Sequence, residues 1–495
     1  MRAIEMNLAD ILIHITSSYR KKTAIIENEG IVTYEDLRKG IERLAAIYYS
    51  IGIRENDRVA LILPNSTQFI YSFFALLKIN AIVVPLSPEC TPYELMGIFN
   101  NVSPHAIITL HAFIQKIDRE SPELLHNKYI ITPEGVAIYR GRKNHGEANS
   151  SRKPVEACCA NNEHVSGDIT ATINYTYRGL GFPLGAQLSH DNYLQAIMFY
   201  IERTELNQHQ NILLVLPSYH VFALMGGILA PLFAGATIVI AKRFIISHIL
   251  EIIKRYQIST LLAVPTLYRL ILDHCRDASA VRSVTRCITG GDVMSSEMHD
   301  ELVKKIDTEV LQGYGLTECL PVTCNPSGNN KPGSLGPPGR ADVKIKIVSD
   351  SCGDLGQGEI GEIIISSPTV MLGYYGLDMV TRDVLKGDWL YTGDYGYLDG
   401  EGYLHFSGRK KKVVKVGGKL VDTAEVKNVL LSHPEIEDVF LHAKEDRLWG
   451  NIIAAEIATH DNAKPTEREI QMFCSRKLSS YKIPKMITCL DRVGV

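Results

Sequence analysis

The chain has no CxxC pair and no Cys/His cluster; its ten cysteines are scattered, with only Cys158 and Cys159 adjacent. That excludes a disulfide framework or a zinc site as the organising feature, and the thiols read as the reduced cysteines of a cytoplasmic protein. Charge of one sign is equally lacking. Lys+Arg 52 against Asp+Glu 55 leaves a formal net charge of -3, so bulk binding to nucleic acid or anionic lipid has no electrostatic basis. The opening MRAIEMNLADILIHITSSYRKK has no long apolar run behind a basic start, and no secretory signal is evident. One uncharged stretch, 221–240, is long enough to span a bilayer. It carries Gly226-Gly227, Pro231 and Gly235 and ends in the β-branched run 237–240. A buried helix, a glycine turn and a buried strand explain it better than a membrane span.

What the chain does have is length and rhythm. At 495 residues it exceeds one ordinary core and predicts two or more domains. Thr33, with Asp36 at the capping-box position, opens an amphipathic helix. Apolar runs at 58–63, 81–85, 106–109, 212–216, 237–241 and 260–263 alternate with helical patterns. This alternation predicts an α/β fold of parallel sheets with helices on their faces. Residues 144–163 are polar and unpatterned, as a surface loop would be. From Val343 the texture changes to short strands with glycine turns, and the basic run 409–412 followed by 413–418 marks a joint. The expected organisation is a large domain over 1–409, with a β-rich subdomain from about 343, and a small α+β domain over 410–495.

Three glycine-bearing segments carry the chemistry. In 175–186 (YTYRGLGFPLGA), set between a strand pattern and a helix starting near Ser189, backbone N–H groups can approach phosphate oxygens. The spacing is not that of a P-loop, and alone the segment reads equally as a tight Gly/Pro turn. Gln312-Gly-Tyr-Gly-Leu-Thr-Glu318 brings an aromatic ring, a hydroxyl and a carboxylate together, suited to a base, a phosphate and a magnesium ion. In isolation Glu318 is a helix-start acid and Tyr314 a core aromatic. Asp394 in 390–394 (LYTGD) and Arg409 pair an acceptor with a donor, which fits the adjacent hydroxyls of a ribose.

In order and spacing these segments resemble the adenylate-forming superfamily of acyl- and aryl-CoA synthetases, luciferases and peptide-synthetase adenylation domains. The resemblance runs from Val32-Thr-Tyr34 and 57–65 (DRVALILPN) to Ser480-Tyr-Lys-Ile-Pro484. It implies a large multi-subdomain N-terminal domain, a small mobile C-terminal domain, and activation of a small carboxylic acid with ATP and magnesium, followed by loading onto CoA or a carrier protein's phosphopantetheine. By the same resemblance Tyr314, between Gly313 and Gly315, stacks on adenine, and Gly290-Gly291-Asp292 passes behind it, with an unusual Asp in third place. Thr317 bonds a phosphate, Glu318 is the metal ligand, and Asp394 and Arg409 hold the ribose. Lys411 is the hinge, Gly417-Gly418-Lys419 meets the pantetheine arm, and His220 lies near the acyl pocket.

The stretch after 217–220 (PSYH) offers no carboxylate before Glu251 to pair a substrate ammonium, so an amino acid is disfavoured. Phe222, Leu224 and Met225 suggest a hydrophobic or aromatic acid. The chain departs from the family pattern twice. In the phosphate loop Thr176 and Gly181 remain, but Leu184 stands where the family has lysine, and Arg178 is expected to return the charge. The chain also reaches Val495 before any Thr/Ser-Gly-Lys segment, so the small domain is expected to lack its last segment. Three functions fit: an ATP-dependent acid–thiol ligase, a ligase using only preformed acyl-adenylate, or a non-catalytic ligand- or partner-binding relative.

Overall fold

Runs of β-branched and aliphatic residues form strands buried on both faces, and capped helices cover them. The computed structural model of the protein describes residues 6–126, 128–132, 135–139, 169–242, 244–409, 413–460 and 465–490. The polar loop expected at 144–163, Cys158 and Cys159, the expected hinge Lys411 and the terminal 491–495 lie outside the described residues. Strands Ile82–Pro85, Ala106–Thr109, Thr237–Ile240 and Thr260–Ala263 are buried at every position, which is why they read as continuous rather than alternating apolar runs.

Two eight-stranded sheets form the large unit. One places Glu309–Leu316, Arg286–Thr289, Thr260–Ala263, Asn211–Leu214, Thr237–Ile240 and Thr23–Glu27 side by side and parallel, closed by antiparallel Cys319–Cys324 and Gly30–Thr33 at its edges. The other has Ile82–Pro85, Arg58–Ile62, Ala106–Thr109 and Lys128–Thr132 parallel at its centre. The helix Tyr34–Ser50 starts with the expected capping box of Thr33 and Asp36.

The glycine-rich segment does not join a strand to a helix. Thr170–Thr176 and Leu184–Ser189 pair antiparallel, with Thr176 opposite Leu184, and the helix His190–Thr204 begins only after Ser189 caps it. The fully buried Leu184 continues the strand alternation. Residues 177–183 are therefore a hairpin turn, with Gly179 and Gly181 in the left-handed region at φ 76° and 81°.

Stretch 221–240 is a helical segment running from Val221–Leu224 through the π turn Met225–Leu229 to Ala230–Phe233, and then the strand Thr237–Ile240. The turn falls at Gly235, φ 73°. Gly226 instead permits close packing, since a Cβ there would lie 2.8 Å from the Tyr200 hydroxyl. Among the described residues no helix is long and apolar enough to cross a membrane.

The β-rich unit is an antiparallel sheet of Lys344–Val348, Gly361–Ser366, Trp389–Leu398, Leu385–Lys386 and Leu404–Arg409. Beyond it, Val413–Val416 pairs with Lys419–Asp422, and Ile436–Asp446, Gly450–Thr459 and Met486–Cys489 form a three-stranded sheet packed by helices Thr423–Leu431 and Glu467–Ser475. This last unit has its own core, including Val416, Val426, Val439, Ile457 and Ile470.

Candidate active site

At the carboxyl ends of parallel strands the chain leaves the first sheet and opens a crevice, the usual ligand position in α/β folds. Arg286–Thr289 runs into Gly290-Gly291, while Glu309–Leu316 continues past its parallel neighbours and carries Tyr314 into the gap. Thr317 and Glu318 form the hairpin turn to Cys319–Cys324, so Glu318 is not a helix-start acid. The β-rich sheet supplies Asp394 and Arg409, which face each other in register on neighbouring strands. The Tyr314 hydroxyl donates to Asp394 Oδ2 at 2.8 Å, and Arg409 Nε lies 3.2 Å from Oδ1. Burial, reinforced by the Asp394 carboxylate, raises the Tyr314 phenol well above its ordinary value and keeps it a donor.

These residues line one cavity of about 290 Å³, together with Thr176, Arg178, His220, Gly290, Gly291, Gly313, Gly315, Thr317 and Glu318. The small unit closes the same cavity with Lys415, Gly417, Gly418 and Lys419. Asp292 lines an adjoining cavity that shares Gly291, Tyr314, Arg409 and Lys415. Gly181 sits apart, in the hairpin turn against Ala424 and Asn428.

Arg178 does not lie free to meet a phosphate. Its Nε is 3.6 Å from Glu318 Oε1, Nη1 donates to the Tyr374 hydroxyl at 3.1 Å, and Nη2 donates to the carbonyls of Tyr391, at 2.9 Å, and of Thr392. The Tyr374 hydroxyl in turn donates to Glu318 Oε1 at 2.6 Å. Burial pulls the Arg178 guanidinium down, but Glu318 and Tyr374 outweigh it and raise its pKa overall. Magnesium requires oxygen ligands at about 2.0–2.1 Å in near-octahedral array. Glu318 Oε1 is committed to a phenol and faces a cation, and among the described residues no group of three or more His, Cys, Asp and Glu could hold a metal. In this arrangement Tyr374 and Arg178 take the Glu318 oxygen that would face the ion, and that oxygen does not fit it.

His220 presents Nε2 without a hydrogen-bond partner among the described residues, and burial, with Lys419 adding, pushes its imidazole down to about 3. It is neutral at any working pH. Lys419 donates to Glu89 at 2.9 Å and lies 4.6 Å from the Tyr481 ring centroid.

Sequence reasoning missed two features. Lys415 donates to the Gly291 carbonyl and lines both cavities, with burial, then Arg409, lowering its ammonium to about 8. Alternation was the available signal: on Val413–Val416, Val414 and Val416 pack into the small core, and Lys415 faces the other way. The second is a buried cluster joining the two units. Lys482 Nζ, 2 % exposed, lies 2.6 Å from Glu94 Oε1 and 2.9 Å from Glu425 Oε2, and donates to the Tyr177 hydroxyl at 3.0 Å. The Ser479 hydroxyl donates to Glu94 at 2.7 Å.

Residues 14–375 match the model of the AMP-binding enzymes, and residues 425–493 match that of the AMP-binding enzyme C-terminal domain. The chain is 31 % identical to a putative acyl–CoA ligase, YdaB, of Bacillus subtilis (strain 168), covering 97 % of this chain and 94 % of that protein. It is 28 % identical to a long-chain-fatty-acid–CoA ligase of the same organism, over 97 % of this chain and 90 % of the relative. Among solved structures, a double mutant of o-succinylbenzoate CoA synthetase from Bacillus subtilis, bound with its product analogue OSB-NCoA, superposes with a TM-score of 0.84 at 25 % identity, covering 98 % of this chain and 95 % of that one.

Proposed function

The chain belongs to the AMP-binding enzyme family, and on that premise we propose that it is an AMP-forming acid–thiol ligase that carries an uncharged hydrophobic or aromatic acid as its acyl-adenylate and passes the acyl group to CoA. One observation carries this reading: Lys415 and the Gly417-Gly418 turn of the small unit face the same cavity as Tyr314, Asp394 and Arg409. Gly417 and Gly418 hold φ of 55° and 80°, and a Cβ on Gly418 would lie 3.0 Å from Val264. A slender thiol arm can pass such a turn, whereas side chains there would obstruct it. In the transfer, the thiol sulfur attacks the acyl carbonyl carbon and the C–S bond forms. The bond from that carbon to the phosphate oxygen breaks, AMP leaves with the electron pair, and the thiol proton passes to solvent.

The acyl end is defined by what lines it. Phe222, Ala223 and Ile288 are apolar, and the carboxylates among the described lining residues, Glu318 and Asp394, are already partnered. A substrate ammonium would find no counter-ion. Tyr200 and Thr289 also line the cavity, and their buried hydroxyls have no partner among the described residues. An acid with a hydroxyl or carbonyl remote from its carboxyl would satisfy them. The CoA ligases and the CoA synthetase that the chain resembles are the reason for naming CoA, and a carrier protein's phosphopantetheine presents the same thiol. The family's full reaction starts from ATP; the second reading, transfer from preformed adenylate alone, is favoured by Arg178 lying on Glu318. A panel of acids with ATP and CoA, read for thioester by mass spectrometry and for pyrophosphate separately, tests both. Absence of thioester from any acid and from supplied acyl-adenylates would refute the ligase reading.

A further inference from the structure

We infer that the Arg178 guanidinium is the resident cation at Glu318, and that this cavity takes the single phosphate of an adenylate without metal and not a metal-bound triphosphate. The inference rests on the ligase reading and separates its two forms.

Arg178 is fixed from both sides. Two main-chain carbonyls, of Tyr391 and Thr392, hold one end of the guanidinium, and Tyr374 and Glu318 hold the other. The Arg178 and Glu318 side chains are 5 % and 6 % exposed, so the pair is a packed part of the wall. A divalent ion on Glu318 Oε1 at about 2.1 Å would stand within roughly 6 Å of Arg178 Nε, which is itself 3.6 Å from that oxygen. Glu318 would then set one negative charge against the three positive charges of the ion and the guanidinium in a buried site, and Asp394, the other carboxylate among the described lining residues, is already on Arg409.

The hairpin turn carrying Arg178 is committed as well. The Gly181 N–H donates to Asp422 Oδ2 at 2.9 Å, and the Tyr177 hydroxyl donates to Glu425 Oε1 at 3.1 Å. Both acceptors belong to the small unit, and Asp422 also caps its helix through Ala424 N–H at 2.8 Å. Donors that would serve the outer phosphates of a nucleotide therefore serve two carboxylates of the protein. Leu184, where a lysine would have added charge, is buried in the hairpin. Besides Arg178, the cations among the described lining residues are Arg409, paired with Asp394, Lys419, paired with Glu89, and Lys415. Net of those carboxylates they leave one positive charge, which matches the one negative charge of an acyl-adenylate and falls short of a triphosphate.

The test is calorimetric titration of the full chain with AMP and with a non-hydrolysable ATP analogue, each with magnesium and with EDTA. Manganese binding is followed by electron paramagnetic resonance. AMP affinity is expected to agree within about twofold with and without metal. The analogue should bind about tenfold more weakly than AMP in either buffer, with manganese remaining free. Supplied acyl-adenylate and CoA should yield thioester in EDTA. Saturable AMP binding alongside an analogue tightened about tenfold by magnesium would overturn this inference and leave the ligase reading standing. No AMP binding and no thioester would overturn both. Arg178→Gln, confirmed as folded by circular dichroism, should gain manganese binding in the presence of the analogue. A folded variant that still binds none would show that the guanidinium is not what excludes the metal.

Discussion

Tyr314 and Asp394 meet through a 2.8 Å hydrogen bond that joins the end of the large parallel sheet to the β-rich sheet, and Arg409 closes on the other carboxylate oxygen. The carboxylate thus fixes the ring that would lie on adenine, while a ribose would compete for the same oxygens. Asp394→Ala is expected to weaken AMP binding by roughly 1.5–3 kcal/mol, the range for hydrogen bonds to a charged group. Tyr314→Phe keeps the ring and the Arg409 pair, and should lose about 1 kcal/mol. Calorimetric titration reads both, and unchanged curves for Asp394→Ala would remove the ribose assignment.

Lys415 predicts a basic limb in nucleotide binding. Burial and Arg409 lower its ammonium to about 8, so positive charge at the cavity is present below that pH and lost as pH rises through it. AMP affinity should fall across this range, and Lys415→Arg, always protonated, should hold it constant. His220, neutral because its imidazole titrates at about 3, should add no limb of its own. The parent and variant dissociation constants, followed from neutral to alkaline pH, decide the point; coincident profiles would exclude Lys415 as the source.

The Lys482 cluster predicts a large effect far from the reacting atoms. Lys482→Met leaves Glu94 and Glu425 buried without their cation, and breaking such a pair costs about 3–5 kcal/mol. The docking of the small unit on the helix Pro92–Val102 should loosen, visible as a larger radius in X-ray scattering and faster proteolysis between the units. Glu94 is held below the usual carboxylate value despite its burial, chiefly by Lys482. Its contribution is therefore full above the ordinary 4.5 and lost as pH falls through the lower folded value. Equal radii for variant and parent at neutral pH would count against the latch.

Tyr200 predicts substrate discrimination. Tyr200→Phe should lower kcat/KM for acids with a remote hydroxyl or carbonyl by roughly 1–2 kcal/mol, and spare matched apolar acids. Thioester formation from paired acids gives the comparison. A uniform loss across both members of each pair would assign Tyr200 to packing alone.

How much of this was readable beforehand depends on the range of the interaction. Strands such as Ala106–Thr109 and Thr260–Ala263 were legible because both faces are buried and the apolar run is continuous. The Thr33–Asp36 capping box was legible because it closes within one turn. The turn at 177–183 misled, since Leu184 and Ala186 read as the approach to a helix and are in fact the inward positions of a hairpin strand. The cavity set was approached through motif order, but the partner of Glu318 was not: Tyr374 is 56 residues away, and nothing local marks it. Glu94 and Ser479 lie 385 residues apart, and only the docked arrangement shows why a glutamate in a capping box is also the anchor of a second unit.

The contact between Lys415 and the Gly291 carbonyl bears on the order in which products can leave. A strand of the small unit is laid across the Gly290-Gly291 loop, while the Gly417-Gly418 turn lines the same cavity. On the proposed function, a thioester would back out past that turn with the units still docked. On the same function, a nucleotide held by Tyr314 and Asp394 would depart only when the Lys415 contact parts, which would couple its exit to movement of the small unit and to rupture of the Lys482 cluster. The departure of the nucleotide would then pace the end of the cycle, and added AMP is expected to hold the enzyme in its docked form.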